Sequence, residues 1–367
     1  MLKVDRRIFG NFDWVLLGIV CCLLVVALVN LYSAGYNQAE GQSVLYQKQF
    51  YWVLIGLALM AVTVSLDYRV IVEYAYIIHG IAFFLLALVL IIGTITHGSQ
   101  RWLSMGAFSF QPSELVKLTM ILALARFFSD RQIGETYGIR NLLMLFSIVA
   151  IPFALIVDQP DLGTALFLVL VSCSIVLFVG VKRRIILLFA AAGLVLAPLG
   201  WMFLRDYQKE RVLSFLNPER DPLGSGYHII QSIIAIGSGG FWGKGMMKGT
   251  QSRLRFLPEQ QTDFVFSVYA EEWGFVGALV LVFLFLSLIL WGIKVARGSR
   301  DLSGTVLAFG ITMFLFWGVF VNIGMVLGIL PVVGIPLPFL SYGGSSMIVI
   351  MTGMGLLMNV SMRRFMF

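Results

Sequence analysis

A chain of 367 residues that is 59% hydrophobic and only 12% charged lies well outside soluble composition, where apolar residues make up roughly 45–50%. Lipid is therefore the solvent for most of it, and a soluble enzyme or regulator is excluded. The formal charge of +7 does not point to nucleic acid, because the basic residues form short clusters between apolar runs rather than a stripe on one face.

Lys3, Arg6 and Arg7 precede an apolar run from about Trp14 to Leu31, which is longer than a cleaved signal segment and reads as a retained first helix. With a span length of about 20 residues, helices are predicted near 13–33, 49–66, 71–95, 113–129, 141–157, 162–181, 185–204, 263–293, 305–327 and 345–362. The expected fold is an all-α integral membrane protein of about ten helices, a single polytopic domain over 1–367. Cys21, Cys22 and Cys173 all fall inside apolar stretches without a Cys-x-x-Cys pair, so they offer no metal or redox motif. No internal repeat is visible, which weighs against an inverted-repeat transporter.

Charge fixes the expected orientation. Arg69, Arg131 with Arg140, Lys182-Arg183-Arg184, Lys294 with Arg297 and Arg300, and Arg363-Arg364 all fall on one side, whereas the short loops opposite carry only Lys48 and Arg101. The positive-inside rule then puts both termini in the cytoplasm. The long connection 205–262, between the seventh and eighth helices, becomes an extracytoplasmic loop. Within it Tyr227 to Ile236 is apolar at helical spacing and is expected to pack on the outer surface, either as a plain cover for the bundle or in contact with substrate.

Few ionisable groups fall at membrane depth, and each invites a functional reading. Asp263 follows the long loop in Phe256-Leu-Pro-Glu-Gln-Gln-Thr-Asp-Phe264. At a helix start capped by Thr262, its ionised form would be favoured by the helix dipole, which suits a general base. Decoration of a helix terminus is the plainer alternative. Glu114 and Lys117 stand three apart after Gln111-Pro112-Ser113, within ion-pair reach, and read equally as structure or as substrate contacts.

Asp158-Gln-Pro-Asp161 reads as a tight turn. Glu271 and Glu272 are adjacent, point about 100° apart and are expected deep in the eighth helix, bonded across helices. The segment Gly328 to Ser346 is apolar but interrupted by Pro331, Pro336 and Pro338. It is expected to be non-helical and to wall a site, with Gly343-Gly344 letting amides approach an anion. Cations on the long loop, among them Arg205, Lys209, Arg211, Arg220, Lys244, Lys248 and Arg253, sit where the rule disfavours them. Solvation of a long loop and attraction of an anionic headgroup both account for them.

On Gln100-Arg-Trp-Leu103, Phe110-Gln-Pro-Ser-Glu-Leu115, Gln159-Pro-Asp-Leu-Gly-Thr164, Gly226-Tyr-His-Ile-Ile-Gln-Ser232, Phe256-Leu-Pro-Glu259, Thr262-Asp-Phe264, Val321-Asn-Ile-Gly324 and Ser341-Tyr-Gly-Gly-Ser-Ser346, the chain resembles the SEDS family of shape, elongation, division and sporulation proteins. The resemblance runs over nearly the whole length. His228 with Gly249-Thr-Gln-Ser252 looks more like the elongation member than the division paralogue.

The resemblance implies a peptidoglycan glycosyltransferase of the bacterial cytoplasmic membrane that polymerises lipid II on the outer face, beside a class B penicillin-binding protein that crosslinks the product. Its catalytic aspartate maps onto Asp263, and its acidic and basic pair onto Glu114 and Lys117. Arg101, Gln111, Asp161, Arg211, His228, Gln231, Ser341, Gly343 and Gly344 are further candidates for substrate binding. One inverting displacement would suffice. Lys117, Arg101 and Arg211, or a divalent cation such as Mg or Mn, would stabilise charge on the departing pyrophosphate; no metal ligands are assigned. A lipid II flippase, a scaffold that only recruits the crosslinking enzyme, and the division or sporulation paralogue are the alternative readings.

Overall fold

The computed structural model describes residues 10–35, 44–96, 99–105, 108–130, 139–180, 191, 201–202, 205–221, 224–254, 256–257 and 259–364. In chain order these form α1 (Trp14–Ala34), α2 (Val44–Ser65), α3 (Tyr68–Glu73) and α4 (Ala75–Ile92), then strands β1 (Thr94–Thr96), β2 (Ser99–Met105) and β3 (Phe108–Phe110). There follow α5 (Pro112–Ser129), α6 (Ile139–Asp158), α7 (Leu162–Val179), α8 (Asp206–Leu216), α9 (Ser225–Gly239), α10 (Thr250–Arg253), α11 (Val265–Arg297), α12 (Leu302–Val326) and α13 (Gly344–Arg363). Among the described residues seven helices are long and apolar enough to cross a membrane; α5 and α6 occupy two more of the expected spans. The expected helix at 185–204 lies outside the described residues except for 191 and 201–202.

Aspartates set several helix starts. Asp13 accepts from Leu16 N, Asp161 from Thr164 N and Asp301 from Gly304 N, satisfying amides that have no partner within the helix. Pro112 opens α5 at a position where the missing N–H costs nothing. The three strands, absent from the sequence reading, form an antiparallel sheet in the order β1-β2-β3 over the connection expected as a plain loop at 96–112.

α5 is buried on nearly every face, although it is less apolar than its neighbours. It carries Glu114, Lys117 and Thr119, and a helix with such groups is costly against lipid and cheaper inside the bundle. α12 and α13 join it in the centre, while α1, α2 and α4 turn apolar side chains such as Val25, Val62 and Phe84 outward.

α11 is two helices. At Gly274 the backbone takes φ 66° and ψ −163°, and a Cβ there would stand 2.2 Å from Gly243 N. Trp291 Nε1 donates to Asp13 (2.9 Å) and Ser33 Oγ to Glu272 Oε1 (2.5 Å), so the part after the break runs antiparallel to α1 along its length. Asn30 Nδ2 nevertheless donates to Val265 O (3.2 Å). Val265 lies seven residues before Glu272, about 10 Å along a straight helix, yet it is level with a residue on the bundle side of Ser33. The first half of α11 therefore turns back across the bundle.

This corrects the expectation of one helix over 263–293 with Glu271 and Glu272 deep inside it; both stand at the break, beside the end of α1. The backbone groups freed there are taken up by the chain after α9. Phe275 N donates to Gly240 O (2.9 Å), Val276 N to Phe241 O (3.2 Å), Lys244 N to Glu271 O (3.1 Å) and Gly245 N to Glu272 O (2.9 Å), as burial of a broken helix requires. α9 covers the first half of α11, with Ser232 Oγ bonded to Ser267 Oγ and Val326 O.

The bundle has two unlike ends. At one, Arg69 pairs with Asp301 and Arg363 with Asp67, each at 3.2 Å. At the other, Arg101 and Asp161 meet at 3.6 Å beside a cavity.

Candidate active site

The cavity holds about 580 Å³ and is walled by parts distant in sequence. Trp52 comes from α2, Arg101 and Trp102 from β2, Glu114 from the first turn of α5, Asp161 from the start of α7 and Arg211 from α8. Glu259, Thr262 and Asp263 come from the approach to α11, Pro331 to Gly334, Pro336, Tyr342 and Gly343 from the stretch between α12 and α13, and Gly344 to Ser346 from the start of α13. That stretch is non-helical up to Gly343, as its prolines imply.

Asp263 is held through its backbone. Its carbonyl accepts from Asn322 Nδ2 (3.0 Å), and the preceding Thr262 carbonyl accepts from Ser341 Oγ (2.6 Å). Tyr342 N donates to Gln261 O (2.8 Å) and Gln260 Nε2 to Ala34 O (3.0 Å). The carboxylate faces Gly334, where a Cβ would lie 3.5 Å from Oδ2 and φ is +72°, so a small residue there leaves it room.

Thr262 does not cap the helix. Its hydroxyl bonds Glu259 O (3.3 Å) and Glu259 Oε2 (3.1 Å), and α11 begins after Phe264 without a side-chain cap. Nor does a helix dipole keep Asp263 acidic. Burial, followed by the Glu259 carboxylate and more weakly Asp161, pushes it up from 3.8 to about 6, against the opposing pull of Arg211 and Arg101. Asp263 lines the cavity on one side and is hemmed in elsewhere, so loss of water outweighs the favourable charges. A carboxylate near 6 still suits a general base at neutral pH.

Glu114 and Lys117 pair at 2.6 Å, both buried. Only Glu114 reaches the cavity wall. Lys117 lies beneath it, its ammonium 5.1 Å from the Phe167 ring and 5.7 Å from the Phe314 ring, where cation–π attraction replaces hydration. The second Glu114 oxygen, Oε2, accepts no hydrogen bond from the protein.

Arg101 is partly engaged: it donates to Gln159 O (3.0 Å) and Pro160 O besides meeting Asp161. Asp161 in turn caps α7. Arg211 donates to Val332 O (3.4 Å). Gln111 reaches the wall and its amide donates to Ser345 Oγ (3.0 Å). Gly343 and Gly344 also line the cavity, at the amino end of α13, where the leading amides favour an anion.

Besides Lys117, three candidates do not reach the wall. Ser341 supports the loop from behind through its bonds to Thr262 O and from Leu337 N. His228 stacks on Phe264 with ring centroids 6.0 Å apart, and Gln231, one turn on, shares its helix face, because α9 packs against α11 rather than over the cavity. Burial, reinforced by Arg211, lowers the His228 pKa. Conversely, Trp52, Trp102, Glu259 and Gly334 belong to the wall and were not singled out from sequence. Glu259, four residues before Asp263 in one motif, was the most legible of them. Among the described residues no three His, Cys, Asp or Glu side chains gather in a set fit to hold a metal ion.

The cell cycle protein family of FtsW, RodA and SpoVE matches residues 13–365. The peptidoglycan glycosyltransferase MrdB of Escherichia coli K12 is 42% identical over 356 residues, 96% of this chain and 94% of the relative. The fold matches a chain of a peptidoglycan synthase complex that coordinates polymerization and crosslinking, with TM-score 0.81, 36% identity and coverage of 97% of this chain and 99% of that one. It also matches the rod shape determining protein RodA of Thermus thermophilus, with TM-score 0.72, 31% identity and coverage of 97% and 98%. By this family match, the sequence identity and the shared fold, the chain belongs to the SEDS family of multi-pass membrane proteins, that of FtsW, RodA and SpoVE.

Proposed function

We propose that this chain polymerises lipid II into glycan strands during cell elongation, with Asp263 as the general base. It is a peptidoglycan glycosyltransferase, in keeping with its relative from Escherichia coli, and by the same likeness works beside a class B penicillin-binding protein. The observation that carries the mechanism is the Asp263 carboxylate in the wall of a cavity whose other walls bring Arg211, Arg101 and the amino end of α13.

In that arrangement the acceptor's sugar hydroxyl gives its proton to Asp263 as its oxygen attacks the donor's anomeric carbon. The bond to the pyrophosphate breaks on the opposite face, so the configuration inverts and no covalent enzyme intermediate forms. Arg211 and the α13 amides are suited to the departing anion. A positioned base contributes roughly 10²–10⁴ in rate.

An inner-membrane site open to the outside accords with charge sidedness. Arg69 and Arg363 sit at the end opposite Arg101 and Asp161, as expected if the basic end is cytoplasmic. The test is polymer formation from labelled lipid II by the purified protein in detergent, where a flippase would make none. Asp263→Asn should fold and yield no polymer; full activity in that variant would end the assignment of the base.

A further inference from the structure

Glu271 takes no part in the reaction just described, yet it is completely buried and accepts an unusual number of bonds. Its Oε1 receives Lys244 Nζ (2.8 Å), Thr250 N (2.8 Å), Thr250 Oγ1 (3.1 Å) and Gln251 N (3.0 Å); its Oε2 receives Ser252 N (3.4 Å). These donors are the first residues of α10 together with a lysine from the chain stitched into the α11 break, and Ser238 Oγ of α9 adds a longer bond to Oε1 (3.5 Å). Glu271 thus ties Thr250–Ser252 to the last turn before Gly274.

The chain between those two points is a closed loop, and it contains both Glu259 and Asp263. Its far side is held by Tyr342, Ser341 and Asn322, its base by Glu271. We infer that Glu271, with Lys244, is a positioning residue for Asp263: the clamp sets how closely the loop closes around the base and where Glu259 stands beside it. This rests on the assignment of Asp263 as base. Asp263 is faced by Glu259 from its own loop, Arg211 from α8, Asp161 from the start of α7 and Arg101 from β2. Glu271 is faced by Lys244, and neighbouring Glu272 by Arg253.

Loosening the clamp admits water to Asp263 and lets Glu259 withdraw, and both changes lower its pKa. The experiment measures lipid II polymerisation against pH for the purified full chain and for Glu271→Gln, Lys244→Gln and Lys244→Arg. Both glutamine variants are expected to lose about 10- to 100-fold in kcat, the scale of a misplaced catalytic group, with little change in KM. In both the acid limb should move to lower pH, and Lys244→Arg should restore most of the rate.

A purely electrostatic influence moves the two limbs in opposite directions, since one variant removes a negative and the other a positive charge. Opposite shifts, or unchanged kcat and limbs, overturn the inference. Should Glu271→Gln not fold, Lys244→Gln decides alone, because Lys244 is partly exposed and its loss leaves the bundle packing intact. Asp263→Asn is assayed alongside. If it stays active, the base assignment fails; if it is dead while the clamp variants behave as wild type, only the clamp fails.

Discussion

Asn322 of α12 holds Asp263 through one side-chain amide that also holds the segment carrying Gly334: Nδ2 donates to Asp263 O at 3.0 Å and to Ile335 O at 2.8 Å. The two walls that meet at the base are therefore cross-linked by a single buried residue. Replacing it with leucine leaves both carbonyls without this donor, at about 1–3 kcal/mol for each buried group. Asn322→Leu is expected to lower the thermal midpoint and to reduce kcat at least about tenfold, measured by a melting assay and by polymer yield.

The pH profile follows from the state of Asp263. A base must be unprotonated, and with its pKa at about 6 the rate should be flat above neutrality and fall as pH drops through about 6. Glu259 contributes to that elevation. Glu259→Gln should therefore move the acid limb to lower pH, and a limb that stays in place would show that Glu259 does not act on the base.

The same elevation has a consequence for stability. The folded-state pKa of Asp263 lies above the ordinary 3.8, so the folded protein holds this proton more tightly than the unfolded chain does. The resulting stabilisation is present below about pH 4 and lost as pH rises through about 6. At neutral pH the ionised group is a burden of up to about 3 kcal/mol, at 1.36 kcal/mol per pKa unit. Asp263→Asn should consequently melt higher than wild type at pH 7.5 while making no polymer, and the gap should narrow at pH 5.

The Glu114–Lys117 pair lies at 2.6 Å and is buried on both sides. Removing one partner strands the other charge, which costs about 3–5 kcal/mol. Lys117→Met and Glu114→Gln should each destabilise the protein strongly, and the double variant should recover a large part of the loss in a thermal double-mutant cycle. Additive losses would mean that the two groups are not coupled.

What could be read from sequence is what short-range chemistry controls. Apolar runs of span length located nine of the thirteen described helices. The i, i+3 spacing of Glu114 and Lys117 brought them together because one helical turn does so anywhere, and three prolines ruled out a helix before Gly343. The folded state of Asp263 was another matter. Its dipole-based expectation failed because burial and Glu259, neither visible from the helix terminus alone, outweigh the terminus.

The α11 break was likewise hidden. Gly274 in an apolar run reads as a tolerated residue, and only the approach of Gly243, whose neighbours on either side bond across the gap, turns it into a fold-back. Hydrophobicity and local spacing determined from the sequence alone that this is a helical membrane protein and which residues pair within a turn. Tertiary structure decided which carboxylate loses its water, which is clamped by a distant lysine and which walls share a cavity, because solvation and long-range hydrogen bonds exist only once separate segments meet.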